Sequence, residues 1–473
     1  MAEKRGENLM PVTAEQLQKM LRDTKDQHEA RKRQYEDGAA YYLNRGDILK
    51  GGAAAIQEVN AYLKKLGKNP LRSADNRIST NWHRILADQK ISYLFTYPPQ
   101  FDIRKDDGTV EQIRDVLGDE YEQIIKQLGI IATNAGKAWL AYWYDQSNRF
   151  CYYYIDDSSK VREVYDTSTI KPRLSALVYT YETTDENGIT TTHYDVWTDR
   201  DATYFVQPLG GAFTLLETRT HEYGEIPFIP FNNNATCTGD LLMYKRIIDA
   251  IDKLISGFAN DIDDIQEILW VIKNYAGQNA PEEYNEQTGA PVKKEIDLLQ
   301  MIKAKKMLFV DEDGGVDTIQ GEIPYEARSK FLEILIDQLY VSAMAVNTST
   351  DKVGNQSGVY IEFLYSLLEL KAGLMETEFR PALGRLVKAI LRFLRKPGNA
   401  KVEQIWTRNK PRNDLELSQM IAQTAETVLS DETKTKVHPL VEDWKSERKQ
   451  IRKEQQEMRL TYMTPAPPAK ENE

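Results

Sequence analysis

From Asp240 to Tyr275 the apolar residues Tyr244, Ile247, Ile248, Ile251, Leu254, Ile255, Phe258, Ile262, Ile265, Leu269 and Ile272 recur at steps of three and four. That spacing predicts one helix with a single buried face. At about 1.5 Å per residue the rod would be roughly 50 Å long, with more apolar flank than one partner helix covers. Ile255 and Ile262 are therefore expected to pack against another subunit. On the opposite face Asp249, Asp252, Ser256, Asn260, Asp263 and Glu267 step in the same way and form a polar, mostly acidic stripe. A second rod is predicted over 325–346 through Phe331, Leu332, Leu335, Ile336, Leu339 and Met344, returning antiparallel to the first. The pattern then breaks over 347–358, where Asn347, Thr348, Ser349 and Thr350 precede Asp351 and Lys352, and Gly354, Asn355, Gln356, Ser357 and Gly358 follow; this composition favours a loop. Helical spacing resumes at Val359 and runs through Leu364, Leu367, Leu368, Lys371, Leu374, Met375, Phe379, Leu383, Leu386, Ile390 and Leu394. Pro381 is expected to kink this helix, because proline removes a backbone donor and crowds the preceding turn.

Upstream, residues 1–12 read as disordered. A charged helix opens at Thr13 with a Thr13/Gln16 capping box, and its polarity predicts a solvated or partner-facing surface. Helices are expected over Ala53–Leu66, Trp82–Thr96, closed by Pro98 and Pro99, and Glu111–Thr133. From Lys137 the period becomes two. Short runs rich in Tyr, Val, Thr and Trp, such as "KAWLAYWYD", "LSALVYTYETT" and "TTTHYDVWTD", predict an antiparallel meander ending at Pro227 and Pro230. Its tyrosines read as core and cross-strand packing rather than a base-stacking surface. Within 276–324 the sequence predicts a helix near Val292–Ala304 and strands in "KKMLFVDED" and "GVDTIQGE", too little to hold a core alone. After Leu394 come a turn at "KPGNA", a strand "KVEQIWTRN", a helix opened by Asn413 and Glu416, a turn capped by Ser430, an exposed helix over Pro439–Leu460 and a disordered tail.

Charge and composition narrow the chemistry. No apolar run approaches the roughly 20 residues that span a bilayer, and "MAEKRGENLMPV" lacks the apolar core of a signal peptide, so a cytosolic chain without membrane contact is expected. Cys151 and Cys237 stand far apart without a CxxC or Cys/His cluster, which leaves no zinc site evident in the sequence. The net charge of −11 argues against a tight phosphate clamp. DNA, if a client, is one that slides past. "GGAAAIQ" and "PLGGAFT" lack the lysine of a phosphate-binding loop. Asp261, Asp263, Asp264 and Glu267 suit a Mg²⁺ site poorly, since Asp261 and Asp263 diverge by about 160° on a helix. "DEDGGVDTIQGE" sets Asp311, Asp313, Asp317 and Glu322 at calcium-loop positions, but Val316 stands where glycine is required. The histidines His28, His83, His193, His221 and His438 are scattered, with no nucleophile elbow. Neither a catalytic residue, a metal nor a cofactor is expected. One basic face remains: Arg385, Lys388, Arg392 and Arg395, for which pairing with a neighbouring subunit's acidic face is favoured over contact with DNA.

The order of these pieces carries more than any one of them. A helix in "NNNATCTGDLLMYKRIIDAIDKLISGFANDIDDIQEILWVIKNYAG", an insert, a second helix, the loop "GNQSG" and a long helix together resemble the portal proteins of tailed bacteriophages, of the SPP1-like family. "NRISTNWHRILADQKISYLFTYPPQFDI", "NAGKAWLAYWYD", "GEIPFIPFNNN" and "LSDETKTKVHPLVEDWKSERKQIRKE" extend the resemblance over roughly residues 30–460. It implies an α+β portal fold: an N-terminal arm (1–29), a wing (30–239), a stem helix (240–275), a clip (276–324), a second stem helix (325–346), a tunnel loop (347–358), a long kinked helix with a strand returning to the wing (359–409), crown helices (410–460) and a tail (461–473). It also implies a non-enzymatic ring of about twelve copies at the unique capsid vertex, assembled in the host cytoplasm. Double-stranded DNA would pass through without sequence specificity. Terminase and the head-completion adaptor would dock on the clip, with scaffolding and major capsid proteins as further partners. The polar stripe would line the channel and the loop would project toward DNA; Lys352 either touches phosphate transiently or pairs with Asp351 or solvent. A nuclease-like subunit of the packaging machine is the alternative.

Overall fold

The computed structural model describes residues 12–50, 75–265, 325–347, 358–409 and 414–463, with short interruptions at 104–106, 171, 398–400, 410–413, 426, 439 and 442–443, together with five short strands between 269 and 319. The expected helices at Ala53–Leu66 and Val292–Ala304, both terminal tails and loop residues 348–357 lie outside the described residues. The chain divides into two compact units, one made of Met1–Asn347 and Leu367–Asn409, the other of Thr348–Ser366 and Lys410–Glu473.

In the first unit, α1 (Ala14–Asp23) begins with the predicted capping box, in which Thr13 accepts from the Gln16 N–H and Gln16 accepts from the Thr13 N–H. Thr24 separates it from α2 (Lys25–Tyr42), so the single charged helix is two. Nor is α1 solvated. Leu17 is fully buried with Val178, Val196 and Phe205, and Met20 and Leu21 pack beside them. One narrow apolar stripe among many charges is enough when it meets the open face of a sheet.

After α3 (Asp47–Lys50) come α4 (Trp82–Phe95), β1 (Gln100–Asp102), α5 (Asp107–Leu117) and α6 (Tyr121–Ala135). The latter two replace the one helix expected over 111–133, because Gly118, at φ 66°, turns the chain through left-handed backbone. Gly136 caps α6 at φ 80°, where a Cβ would come within 2.1 Å of the Cys237 carbonyl oxygen.

The period-two region forms eight strands in two sheets. Strands β2 (Lys137–Tyr144), β3 (Phe150–Tyr154) and β9 (Phe228–Asn232) pair in the order β3-β2-β9. Strands β4 (Val161–Asp166), β5 (Arg173–Thr184), β6 (Thr190–Trp197), β7 (Asp201–Pro208) and β8 (Thr214–Thr220) form a sequential antiparallel meander. Trp139, Val161, Leu177, Ile226 and Phe228 make the core that joins the sheets, with Tyr179 packed against it, whereas Tyr153 and Tyr165 are exposed.

The long rod is shorter than its periodicity predicts. Helix α7 covers Leu241–Ile265, and Leu269–Lys273 is instead a strand, β10. It lies central in a sheet, parallel to β13 (Met307–Val310) and antiparallel to β14 (Gly315–Ile319). Leu269, Trp270, Val271 and Ile272 suit a strand as well as a helix face, and pairing on both edges decides it. The remaining short strands, β11 (Glu283–Tyr284) and β12 (Pro291–Val292), pair with each other.

Helix α8 (Tyr325–Ala343) returns antiparallel along α7. Ile248 and Ile251 share a core with Leu339 and Ala343, whereas Phe258 meets Tyr325 at 6.1 Å and Asp261 meets Arg328 at 2.5 Å. Helix α9 (Gly358–Phe393) contains Pro381 and buries Leu383, Leu386, Val387 and Ile390 in the first unit. Strand β15 (Glu403–Ile405) pairs antiparallel with β1. The second unit holds α10 (Asp414–Gln423), α11 (Asp431–Val437), whose Thr433 N–H donates to the Ser430 hydroxyl at 3.2 Å, and α12 (Trp444–Met463). Cys151 and Cys237 are free thiols.

Candidate functional site

The two antiparallel rods and α9 meet at a buried charge cluster. Asp240, just before α7, is 3% exposed, and its carboxylate accepts from Lys90 Nζ of α4 at 2.7 Å, from Asn233 Nδ2 at 2.7 Å and lies 2.9 Å from Lys371 Nζ of α9. Lys371 also donates to the carbonyl of Ala343, the last residue of α8, at 2.8 Å. Lys90 and Lys371 are 1% and 6% exposed. Burial opposes ionisation of Asp240, but the two ammonium groups override it and hold the carboxyl well below the usual carboxylate range. Burial pulls Lys90 down to about 8, with Asp240 opposing. Beside the cluster His83 is fully buried between Tyr244, 2.8 Å from Nδ1, and the side-chain carbonyl of Asn134, 2.9 Å from Nε2. Burial lowers its pKa to about 4. The neutral ring therefore donates through Nε2 to Asn134 and accepts the Tyr244 hydroxyl at Nδ1. Of these residues Tyr244 and Lys371 stand in the predicted apolar stripes and His83 among the scattered histidines, and nothing in their spacing joins them. A lysine at a core position of an otherwise apolar helix face is the signal that points to a buried partner.

Part of the polar stripe of α7 is taken up within the subunit, while Asp263 stays exposed. Asp252 and Ser256 are 1% and 4% exposed, so neither lines a channel. Instead the extended segment 76–80 lies along the helix. The N–H of Thr80 donates to Asp252 at 3.0 Å, that of Ile78 to Ser256 Oγ at 2.9 Å and that of Asn76 to Asn260 Oδ1 at 2.5 Å. Asn76 Nδ2 adds a bond to Asp263 at 2.5 Å. Alternate residues of an extended chain are about 6.6 Å apart and every fourth helical residue about 6 Å, so side chains of α7 match the amide spacing as a neighbouring strand would. Asp249 accepts from the Tyr41 hydroxyl and from Lys245 at 3.0 Å. Glu267 lies outside the described residues.

Elsewhere the rods leave apolar surface bare. Ile255 is half-buried beside the α7–α8 core, whereas Ile262 is 41% exposed. Leu254, Ile255, Phe258, Tyr325, Arg328 and Leu332 line a notch of about 370 Å³ between the two helices. Phe331, Ile334 and Val341 of α8, and Leu367, Leu370 and Leu374 of α9, are exposed. Of the basic face, Arg392 donates to the Tyr223 carbonyl at 2.9 Å and pairs with Glu225. Arg385, Lys388 and Arg395 are exposed. At the mouth of the 347–358 segment, the Gln89 side-chain amide holds both the N–H and the C=O of Val346, each at 2.9 Å. Gly358 opens α9, while Asp351, Lys352, Gly354, Asn355, Gln356 and Ser357 lie outside the described residues. Among the described residues no three His, Cys, Asp or Glu side chains gather as a metal site, and no helix is long and apolar enough to cross a membrane.

The family described as "Phage portal protein, SPP1 Gp6-like" matches residues 21–459. The portal protein of Clostridium phage phiCD119 is 36% identical over 428 residues, covering 88% of this chain and 91% of that one. The portal protein of Bacillus phage SPP1 is 29% identical over 443 residues, covering 88% and 82%. Among solved structures, a chain from the neck of a native GTA particle, computed with C12 symmetry, aligns over 76% of this chain and 89% of its own with a TM-score of 0.40 and 14% identity. With a family match running almost end to end and a 36% identical relative covered over most of its length, the chain belongs to the SPP1 Gp6-like family of phage portal proteins.

Proposed function

We propose that this chain assembles into a ring whose central channel passes double-stranded DNA at the capsid vertex during packaging and ejection. The chain belongs to a family of structural, non-enzymatic portal proteins, so the nuclease-like alternative is set aside. The observation that carries the reading is the bare apolar surface on α7, α8 and α9 of a chain in this family: large side chains such as Ile262, Phe331, Ile334 and Leu370 are exposed on one subunit. Large apolar side chains left exposed on three helices suit an association surface. A negative net charge of −11 supports passage over retention, because it offers DNA few counterion-releasing contacts. In this reading residues 347–358 face the DNA, terminase and the head-completion adaptor dock on 276–324, and scaffolding and capsid proteins surround the ring, which forms in the host cytoplasm. Negative-stain images and mass measurement of the purified chain test it: rings with a central hole are expected, and a chain that stays monomeric at high concentration overturns the assignment.

A further inference from the structure

One carboxylate on the five-stranded sheet lacks a partner. Asp195 of β6 stands directly opposite Tyr179 of β5 and Tyr204 of β7. Residues opposed in this way share a face of the sheet. Asp195 is half-buried and makes no hydrogen bond or ion pair among the described residues. The aromatic frame continues on both sides. Tyr179 lies 5.6 Å from Tyr181, which stacks on His193 at 4.7 Å, and Trp197 meets Tyr204 edge-on at 6.3 Å, its Nε1 buried without an acceptor. The cations that border this face are already engaged, Lys160 with Asp156 at 3.1 Å and Arg219 with Glu217 at 2.5 Å. Burial alone pushes the Asp195 carboxyl up to about 7.

We propose that Asp195, framed by Tyr179 and Tyr204, receives a lysine or arginine side chain from an adjacent copy of this chain. This rests on the ring reading. A half-buried carboxylate without a donor is unfavourable in the lone subunit, and an incoming cation relieves it. The rings flanking Asp195 attract cations, and Tyr204 already carries Arg219 5.6 Å over its ring. Ring contacts are heterologous: the surface that accepts on one subunit differs from the surface that donates on the next. The chain also supplies unused donors, for Arg385 and Lys388 are exposed and have no carboxylate partner among the described residues.

The groups facing Asp195 are Tyr179 and Tyr181 on β5, His193 on its own strand, Tyr204 on β7, Glu217 and Arg219 on β8, and Lys160 beyond Tyr179. A contact that needs the ionised carboxylate strengthens as pH rises through 7. Between pH 6 and 8 the ionised fraction climbs from about a tenth to about nine tenths, so each contact tightens about tenfold. The test follows assembly of the full chain by mass photometry at pH 6 and 8, for wild type and Asp195→Asn, and the melting temperature of each dissociated subunit. The expected result is a wild-type half-assembly concentration that falls with pH, and an Asp195→Asn chain that assembles about tenfold more weakly at pH 8, without the pH dependence. The Asp195→Asn subunit itself should melt no lower than wild type, since a destabilising charge has been removed; a merely structural aspartate would lower both. Wild-type rings alongside Asp195→Asn rings of equal affinity and pH profile overturn this inference alone. A wild-type chain that never forms rings overturns it together with the ring reading.

Discussion

Asp240 is the residue on which most of the surrounding order depends, because it neutralises two buried ammonium groups brought by α4 and α9. Asp240→Asn leaves both lysines buried without a counter-charge and should lower subunit stability by about 3–5 kcal/mol, read from urea denaturation. His83 makes a second prediction. Its folded pKa lies near 4, below the ordinary 6.5, so the unfolded chain takes up a proton first as the solution is acidified. The contribution is fully present above pH 6.5 and is lost as pH falls from there toward 4, by about 3 kcal/mol in all. His83→Gln, which cannot charge, should flatten the stability profile over that window. A slope unchanged between pH 6.5 and 4 would assign the acid sensitivity to other groups.

At the scale of elements, α7 supplies what a missing strand would otherwise give to residues 76–80. Asp252→Ala removes the acceptor of the Thr80 N–H and hydroxyl without adding volume to this buried site. A cost of about 1–3 kcal/mol is expected, with faster hydrogen exchange at Ile78 and Thr80 and little change in the β4–β8 sheet. Protection retained at those amides would mean that the segment is held by its neighbours and not by the stripe. This element also shows how part of a regular polar face, Asp252 and Ser256, comes to be buried. Periodicity tells which side chains share a face, and an acidic face is solvated in most helices, but an extended segment 170 or more residues upstream occupies this one.

For the whole molecule, the separation of Ile255 from Ile262 matters. Ile255 supports the subunit's own α7–α8 packing, so a charge there disturbs folding as well as association. Ile262 is exposed and gives the cleaner experiment. Ile262→Asp should leave the subunit's melting temperature within a degree or two of wild type and block ring formation, because a carboxylate buried at an interface without a partner costs several kcal/mol. Intact rings of Ile262→Asp by sedimentation would place the subunit contact on another face.

The sequence by itself determined the α+β class, the positions of the antiparallel strands, the two long rods and their antiparallel return, the caps at Thr13 and Ser430, and, through the order of its motifs, the family. Each of these depends on local chemistry: the period of the apolar positions, turn residues, or a hydroxyl three residues from the N–H it satisfies. The tertiary structure decided where local preference was balanced or silent. Leu269–Lys273 became a strand because two strands were available to pair with it. Leu17 in the helix at 14–23 was buried because a sheet presented Val178, Val196 and Phe205 to its narrow apolar stripe. Lys90, Asp240 and Lys371 were joined across 281 residues of sequence, and nothing local marks a charge as paired until the fold removes it from water.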